Sequence, residues 1–163
     1  MIIGIPKEIK DNEKRVALTP FGASILSNHG HTVLIENNAG LGSGHTNKKY
    51  ISSGAEIVDS PEKLFNKSNL IVKVKEPQEE EISFIKSGQM VFTFFHFAAS
   101  QSLTKDILNS KCISIAYETI EDKDGNLPIL VPMSEVAGRM SIQNGAKCLE
   151  GSMGGKGKLL GGV

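Results

Sequence analysis

The sequence predicts an α/β fold built on a doubly wound, mostly parallel sheet. Three observations support this prediction. Short apolar runs typical of buried strands alternate with helical patterns along most of the chain. Several helical patterns begin with a capping residue followed by proline. The 163 residues, of which 39% are apolar, are enough to bury one sizeable core. Strands that alternate with helices pair in parallel and place helices on both faces of the sheet.

The individual elements follow in order from local signals. The first strand ends at Pro6, and a polar loop leads to Thr19 and Pro20, which begin a helix that Gly30 ends. Ser60 and Pro61 begin another helix in the same way. We predict strands at residues 1–6, 32–36, 56–58, 69–75, 89–95 and 112–117, and helices at 20–29, 47–53, from 61, and at 78–86 and 101–109. We predict a turn at 124–125 and an apolar segment at 127–131. A longer helix follows from 135 to about 149, capped by residues 132–134, and the chain ends in a glycine-rich tail.

Composition narrows the function. The 18 basic residues balance 18 acidic ones, so neither a sequence-independent nucleic-acid binder nor a polybasic membrane-surface protein is expected. No apolar run approaches the ~20 residues of a membrane span. We expect a soluble, intracellular protein with a small-molecule partner. Cys112 and Cys148 lie in apolar or helical stretches and are expected to be reduced packing thiols.

Four ionisable residues follow predicted strands, where parallel sheets gather their ligands: Arg15, Lys75, His96 and Glu118. An arginine and a lysine at one strand edge suit a small carboxylate. His96 ends a very apolar run, and an imidazole in a half-dry setting suits general acid or base work. Three of these residues also have a purely structural alternative. His96 could be a core histidine and Glu118 a surface acid. Lys75 could be a solvated lysine at the strand edge, since Lys73 is predicted to point the same way.

Three other motifs fail on spacing. The glycine-rich loop at 40–45 follows a strand, but His45 stands where a dinucleotide-binding fingerprint needs its last glycine. In the tail, Gly157 follows Lys156 where a phosphate-binding loop needs serine or threonine. His29 and His31 sit at a helix end far from either cysteine, so we expect no metal site.

Several segments together resemble the amino-terminal domain of the alanine dehydrogenase and pyridine nucleotide transhydrogenase family, in family order and along the entire chain. Lys75 and His96 make the resemblance closer to the alanine dehydrogenase branch, because the transhydrogenase counterparts lack both residues. The segments are IGIPKEIKDNEKRVALTP (3–20), ENNAGLGSG (36–44), GAEIV (54–58), VKVKEP (72–77), FTFFHFA (92–98), ISIAYET (113–119) and PMSEVAGRMS (132–141).

The resemblance implies a reaction and roles. The reaction is the NAD-dependent, reversible oxidative deamination of L-alanine to pyruvate and ammonia. Arg15 and Lys75 would bind the carboxylate and carbonyl of the substrate, and His96 would donate and accept protons. Ser134 would contact NAD, and Glu118 is a possible supporting residue.

The resemblance also implies a division of the chain. Residues 1–131 would form a Rossmann- or flavodoxin-like substrate domain, 132–149 a hinge helix with an exposed apolar side, and 150–163 the start of an NAD-binding domain that the chain lacks. We therefore expect a truncated chain that is inactive alone, from a family of cytoplasmic homohexamers. Two alternatives remain: a free-standing module that binds a small carboxylate, and the first domain of a transhydrogenase.

Overall fold

The computed structural model describes residues 1–162 and confirms the predicted fold class. Six strands form one all-parallel sheet in the order β3-β2-β1-β4-β5-β6. The strands are β1 (Ile2–Ile5), β2 (Thr32–Glu36), β3 (Glu56–Val58), β4 (Leu70–Lys75), β5 (Met90–Phe94) and β6 (Ile113–Ala116). The helices are α1 (Pro20–Asn28), α2 (Asn47–Ser52), α3 (Pro61–Lys67), α4 (Glu79–Ile82), α5 (Gln101–Ser110) and α6 (Val131–Leu149).

The strand order reverses next to β1. From β1 the chain moves outward through β2 and β3, then returns to the other side of β1 and continues outward through β4, β5 and β6. Ile3 is therefore in register with Val33 on one side and with Leu70 on the other. In an open parallel sheet, such a switch point leaves a crevice beyond the carboxyl ends of the two central strands, where ligands bind.

Alternate residues of the strands feed two separate apolar clusters. On β2, Leu34 packs with side chains of α3 and α5, whereas its neighbours Val33 and Ile35 pack with side chains of α1 and α2. Successive strand residues point to opposite faces, so the two clusters lie on the two faces of the sheet. This arrangement is the doubly wound sheet that the alternation of elements predicts.

The starts of α1, α2, α3 and α5 agree with the predictions, and α4 is much shorter than predicted. Thr19 and Ser60 accept hydrogen bonds from Gly22 N and Lys63 N at 3.3 Å. By contrast, α4 covers only Glu79–Ile82, although the acidic run predicts a helix over 78–86. Beyond Ile82 the backbone closes three-residue turns instead of helical bonds, and these turns bring Ile85 into the core at 8% exposure.

The chain divides into two compact units, Met1–Tyr117 and the residues from Glu118 onward. The second unit contains α6, which begins at Val131, four residues earlier than predicted, because Val131 N already donates to Leu127 O at 2.9 Å. The predicted exposed apolar side of this helix is present at Val136 and Met140, which lie four residues apart and are 56% and 50% exposed. In the part of the chain from residue 1 to 162, no helix combines the length and apolar character that crossing a membrane requires.

The two cysteines are both free thiols, as predicted. Cys112 is partly buried and packs against the core cluster of α3 and α5. Cys148 is exposed on α6, so the prediction of a packing role is wrong for that residue.

Candidate functional site

Three of the predicted site residues follow neighbouring strands at one edge of the sheet in the first unit. Arg15 lies in the loop between β1 and α1, Lys75 is the last residue of β4, and His96 follows the end of β5 by two residues. Because β1, β4 and β5 are adjacent and parallel, their carboxyl ends meet at the same edge. That edge includes the switch point of the sheet, where ligands of this architecture bind.

Arg15 is held by Glu13 through three hydrogen bonds. The backbone N and the Nε of Arg15 both donate to Oε1 of Glu13 at 2.9 Å, and Nη2 donates to Oε2 at 2.6 Å. The Glu13 side chain is 7% exposed, whereas that of Arg15 is 49% exposed. The hydrogen bond from Arg15 and the positive charges of Arg15 and Lys75 outweigh partial burial and lower the pKa of Glu13 to about 2. Glu13 is therefore ionised throughout the physiological range.

The loop that carries Arg15 rests on the glycine-rich loop after β2. A Cβ placed on Gly42 would come within 2.5 Å of the backbone O of Lys14, so only glycine permits this approach. Ser43 Oγ donates to the same carbonyl at 3.1 Å. The two loops border a pocket of about 310 Å³ whose lining includes Arg15, Glu13 and Glu8. Gly42 thus serves contact between two protein segments.

A buried ion triad lies beneath this edge. Lys73 is completely buried, and its Nζ donates to Glu8 Oε2 at 3.1 Å and to Glu81 Oε1 at 2.7 Å. Glu8 Oε1 also accepts from Val74 N at 2.6 Å, and Glu81 Oε2 accepts from Gln78 N at 2.8 Å. Burial raises the pKa of Glu81, although the charge of Lys73 and its hydrogen bond oppose this. The triad ties the loop after β1 to β4 and α4.

Lys75 is in a different situation from Lys73. It is half-buried at the end of β4, and its ammonium forms none of the ion pairs within 4 Å found among residues 1–162. The neighbouring Glu76 instead pairs with Lys10 of the loop after β1. Burial alone would raise the pKa of Glu76, but the hydrogen bond from Lys10 and the charges of Lys10 and Lys75 lower it overall.

His96 occupies an unusual backbone conformation. Its φ is 51°, in the left-handed region, and its carbonyl accepts from Ala99 N at 2.9 Å in the short turn that leads to α5. Such a conformation in a residue other than glycine costs free energy and often occurs at functional sites. The imidazole is exposed and stacks on the Phe94 ring, with centroids 6.0 Å apart. The Phe94 ring thus provides an apolar setting for one side of the imidazole.

The remaining two predicted residues belong to the second unit. Glu118 is half-buried in the short 3-10 turn Tyr117–Thr119 that directly follows β6. Ser134 is exposed in the first turn of α6. The prediction that residues 132–134 cap this helix is wrong, because Ser134 N already makes a helical bond to Leu130 O at 3.0 Å.

Known proteins share this sequence and this fold. Residues 4–137 match the model of the family described as "Alanine dehydrogenase/PNT, N-terminal domain". The match covers most of the 163 residues. The chain belongs to this family.

Individual members of the family agree with this result. Over all 163 residues, the chain is 52% identical to an alanine dehydrogenase of Methanococcus maripaludis and 51% identical to one of Bacillus subtilis. A solved L-alanine dehydrogenase structure superimposes over the whole chain with a TM-score of 0.87 at 45% identity. A transhydrogenase structure from Sinorhizobium meliloti covers 74% of the chain with a TM-score of 0.69 at 28% identity.

The chain is shorter than these family members. It spans 44% of the Methanococcus maripaludis protein, 43% of the Bacillus subtilis protein and 45% of the solved L-alanine dehydrogenase chain. Its similarity is greater to the alanine dehydrogenases than to the transhydrogenase, which agrees with the branch expected from Lys75 and His96.

Sequence reasoning missed the carboxylates that organise this edge in the family fold. The suggestion that Lys73 is solvated like Lys75 is wrong, because β4 is a central strand and both of its faces are covered. A lysine inside a central strand is itself a signal, since a buried ammonium needs carboxylate partners. Glu13 could have been identified as a partner of Arg15 from the sequence, because it lies two residues away in the same loop.

Proposed function

We propose that this chain carries the substrate-binding and proton-transfer half of an NAD-dependent alanine dehydrogenase. The reaction is the reversible oxidative deamination of L-alanine to pyruvate and ammonia. One observation supports it most strongly: Arg15, Lys75 and His96 follow β1, β4 and β5, adjacent parallel strands at the switch point of the sheet. The family resemblance further implies a cytoplasmic homohexamer.

Arg15 and Lys75 are the proposed carboxylate and carbonyl ligands. The Arg15 side chain is half exposed and only part of its guanidinium is engaged by Glu13. A guanidinium binds a carboxylate through two parallel N–H groups, and an ammonium adds a compact charge. Lys75 supplies that ammonium, which has no ion-pair partner among residues 1–162. Together they would hold the substrate carboxylate and polarise its carbonyl oxygen.

His96 is the proposed acid and base. In the deamination direction, loss of hydride from the α-carbon of alanine leaves an iminium, water adds to its carbon, and ammonia departs to give pyruvate. His96 would take a proton from the attacking water and return one to the leaving nitrogen. NAD, when bound, supplies the hydride acceptor for this sequence. Of residues 1–162, the exposed hydroxyl of Ser134 is the proposed contact to it. The glycine-rich loop at 40–45 does not fit a dinucleotide, since Gly42 packs against Lys14.

A chimeric enzyme tests the proposal. Residues 1–163 would replace the matching part of the Methanococcus maripaludis alanine dehydrogenase, which then supplies the rest of the enzyme. We expect alanine-dependent formation of NADH. His96→Ala should lower kcat by ~10²- to 10⁴-fold, the usual contribution of a general acid or base, with a small change in pyruvate affinity.

The matched control is His31→Ala, a partly buried histidine that precedes β2 and lies away from the proposed site. It should keep kcat within about twofold, because it removes an imidazole that takes no part in the reaction. A folded chimera without alanine-dependent activity, or with near-normal turnover after His96→Ala, would contradict the proposal.

A further inference from the structure

We propose that Glu13 is a positioning residue for Arg15, which orients the guanidinium so that its outer edge is presented to the substrate carboxylate. This inference rests on the proposed function, because it assumes that Arg15 binds a carboxylate. It adds a role for a residue that does not itself touch the substrate.

The hydrogen bonds divide the guanidinium into two edges. Glu13 accepts from Nε and from Nη2, which form the inner edge, and also from the backbone N of Arg15. Five N–H groups are available on a guanidinium. One N–H of Nη1 and the second N–H of Nη2 form the outer edge. This edge has the spacing for a second two-point contact with a carboxylate. Glu13 thus occupies the inner edge of the guanidinium and leaves the outer edge available to a carboxylate.

A competing role would be that Glu13 occupies the place of the substrate carboxylate and must be displaced. Burial argues against it, since the Glu13 side chain is 7% exposed and that of Arg15 is 49% exposed. The Glu13 carboxylate also accepts a hydrogen bond from the backbone N of Arg15 at 2.9 Å, which holds it against its own loop. Displacement would leave a nearly buried carboxylate without its partners, which is costly.

The support beneath the loop favours a fixed arrangement as well. Lys14 lies between Glu13 and Arg15. Its backbone packs against Gly42, and its carbonyl accepts a hydrogen bond from the Ser43 hydroxyl. The contacts of Gly42 and Ser43 therefore hold the loop backbone, and Glu13 holds the side chain of Arg15. A guanidinium fixed before binding loses less conformational freedom when the ligand arrives.

Titration with pyruvate tests this role. The full 163-residue chain, labelled with ¹⁵N, would be titrated as wild type, as Glu13→Gln and as Asp11→Asn. Glu13→Gln keeps one acceptor oxygen, so the loop should fold, but it loses the bond from Nη2. We expect pyruvate to bind about tenfold more weakly to Glu13→Gln. Asp11→Asn removes the same charge from an exposed position of the same loop and should change affinity less than twofold.

The sign of the effect separates the two roles. If Glu13 competes with the substrate, Glu13→Gln would bind pyruvate more tightly than wild type, and that result would overturn the proposal. Unchanged affinity would overturn it too.

A second readout follows the Nε–H resonance of Arg15. In the wild type it should be protected from exchange before pyruvate is added and keep its protection at saturation, because Glu13 keeps this bond. Loss of protection on pyruvate binding would contradict positioning. If the wild type itself does not bind pyruvate, the proposed function fails and this inference fails with it. If wild type binds and Arg15→Met does not, while Glu13→Gln binds normally, only the inference fails.

Discussion

Lys73 and Lys75 lie two residues apart on β4, in a stretch where the pairing with β5 shifts register, yet their surroundings differ completely. Lys73 is fully buried and pairs with Glu8 and Glu81. Lys75 is half-buried, and its ammonium lacks a carboxylate within 4 Å among residues 1–162. Carboxylates of the protein neutralise the charge of Lys73 directly, whereas the charge of Lys75 acts on Glu13 and Glu76 without a close ion pair.

The difference teaches how to separate structural charges from functional ones at a sheet edge. A buried ammonium is tolerated only where carboxylates and hydrogen bonds replace its water, as around Lys73. At the end of the strand, solvent can do the same, as for the half-buried Lys75. A charge neutralised inside the protein is structural, whereas the unpaired charge of Lys75 at the switch point is the one that we propose for binding.

The largest expected effect separates the two lysines by stability. Lys73→Met leaves Glu8 and Glu81 buried without a cation, which should lower the free energy of unfolding by about 3–5 kcal/mol. Lys75→Met removes a half-exposed charge and should lower it by less than about 1 kcal/mol. Urea unfolding of both variants measures the difference. The exposed Lys63→Met serves as a control for adding a methionine to the surface. Equal losses at positions 73 and 75 would contradict the comparison.

The next effect separates them by binding. Lys75→Met should weaken pyruvate binding about tenfold or more, because it removes one of two cations proposed to face the substrate. Calorimetric titration of the full chain gives the dissociation constant. Lys10→Met is a suitable control, since it removes a nearby lysine that is already paired with Glu76. A Lys75→Met chain that binds pyruvate like the wild type would remove Lys75 from the site.

The smallest effect concerns the pH dependence of stability. The pKa of Glu13 is lowered to about 2 in the folded chain, below its ordinary value, so its stabilising contribution is present above about pH 5. That contribution is lost as the pH falls through the interval from about 5 to about 2. Wild type should therefore exceed Glu13→Gln in unfolding free energy by about 1 kcal/mol at pH 7. The gap should close in acid, and a gap that widens there would contradict this account.

Much of the fold was predictable because its signals are local. Thr19 with Pro20 and Ser60 with Pro61 begin helices for steric and hydrogen-bonding reasons that need no tertiary context. The edge residues Arg15, Lys75 and His96 followed from the rule that parallel strands end together. These predictions required only the approximate ends of the strands.

The rest depended on sheet order and on packing. The burial of Lys73 becomes evident only when β4 is placed in the centre of the sheet. The acidic run after Gln78 predicts a longer helix, but packing of Ile85 into the core ends α4 at Ile82. The left-handed φ of His96 was equally out of reach, since histidine does not require that conformation.

The most direct test of the central claim is a map of pyruvate binding on the full chain by ¹H–¹⁵N spectra. We predict saturable shifts concentrated on the amides around Arg15, Lys75 and His96, with little change around Glu81 of the buried ion triad. Shifts elsewhere, with this edge unaffected at saturating pyruvate, would contradict the claim that the open charges at the switch point form the substrate site.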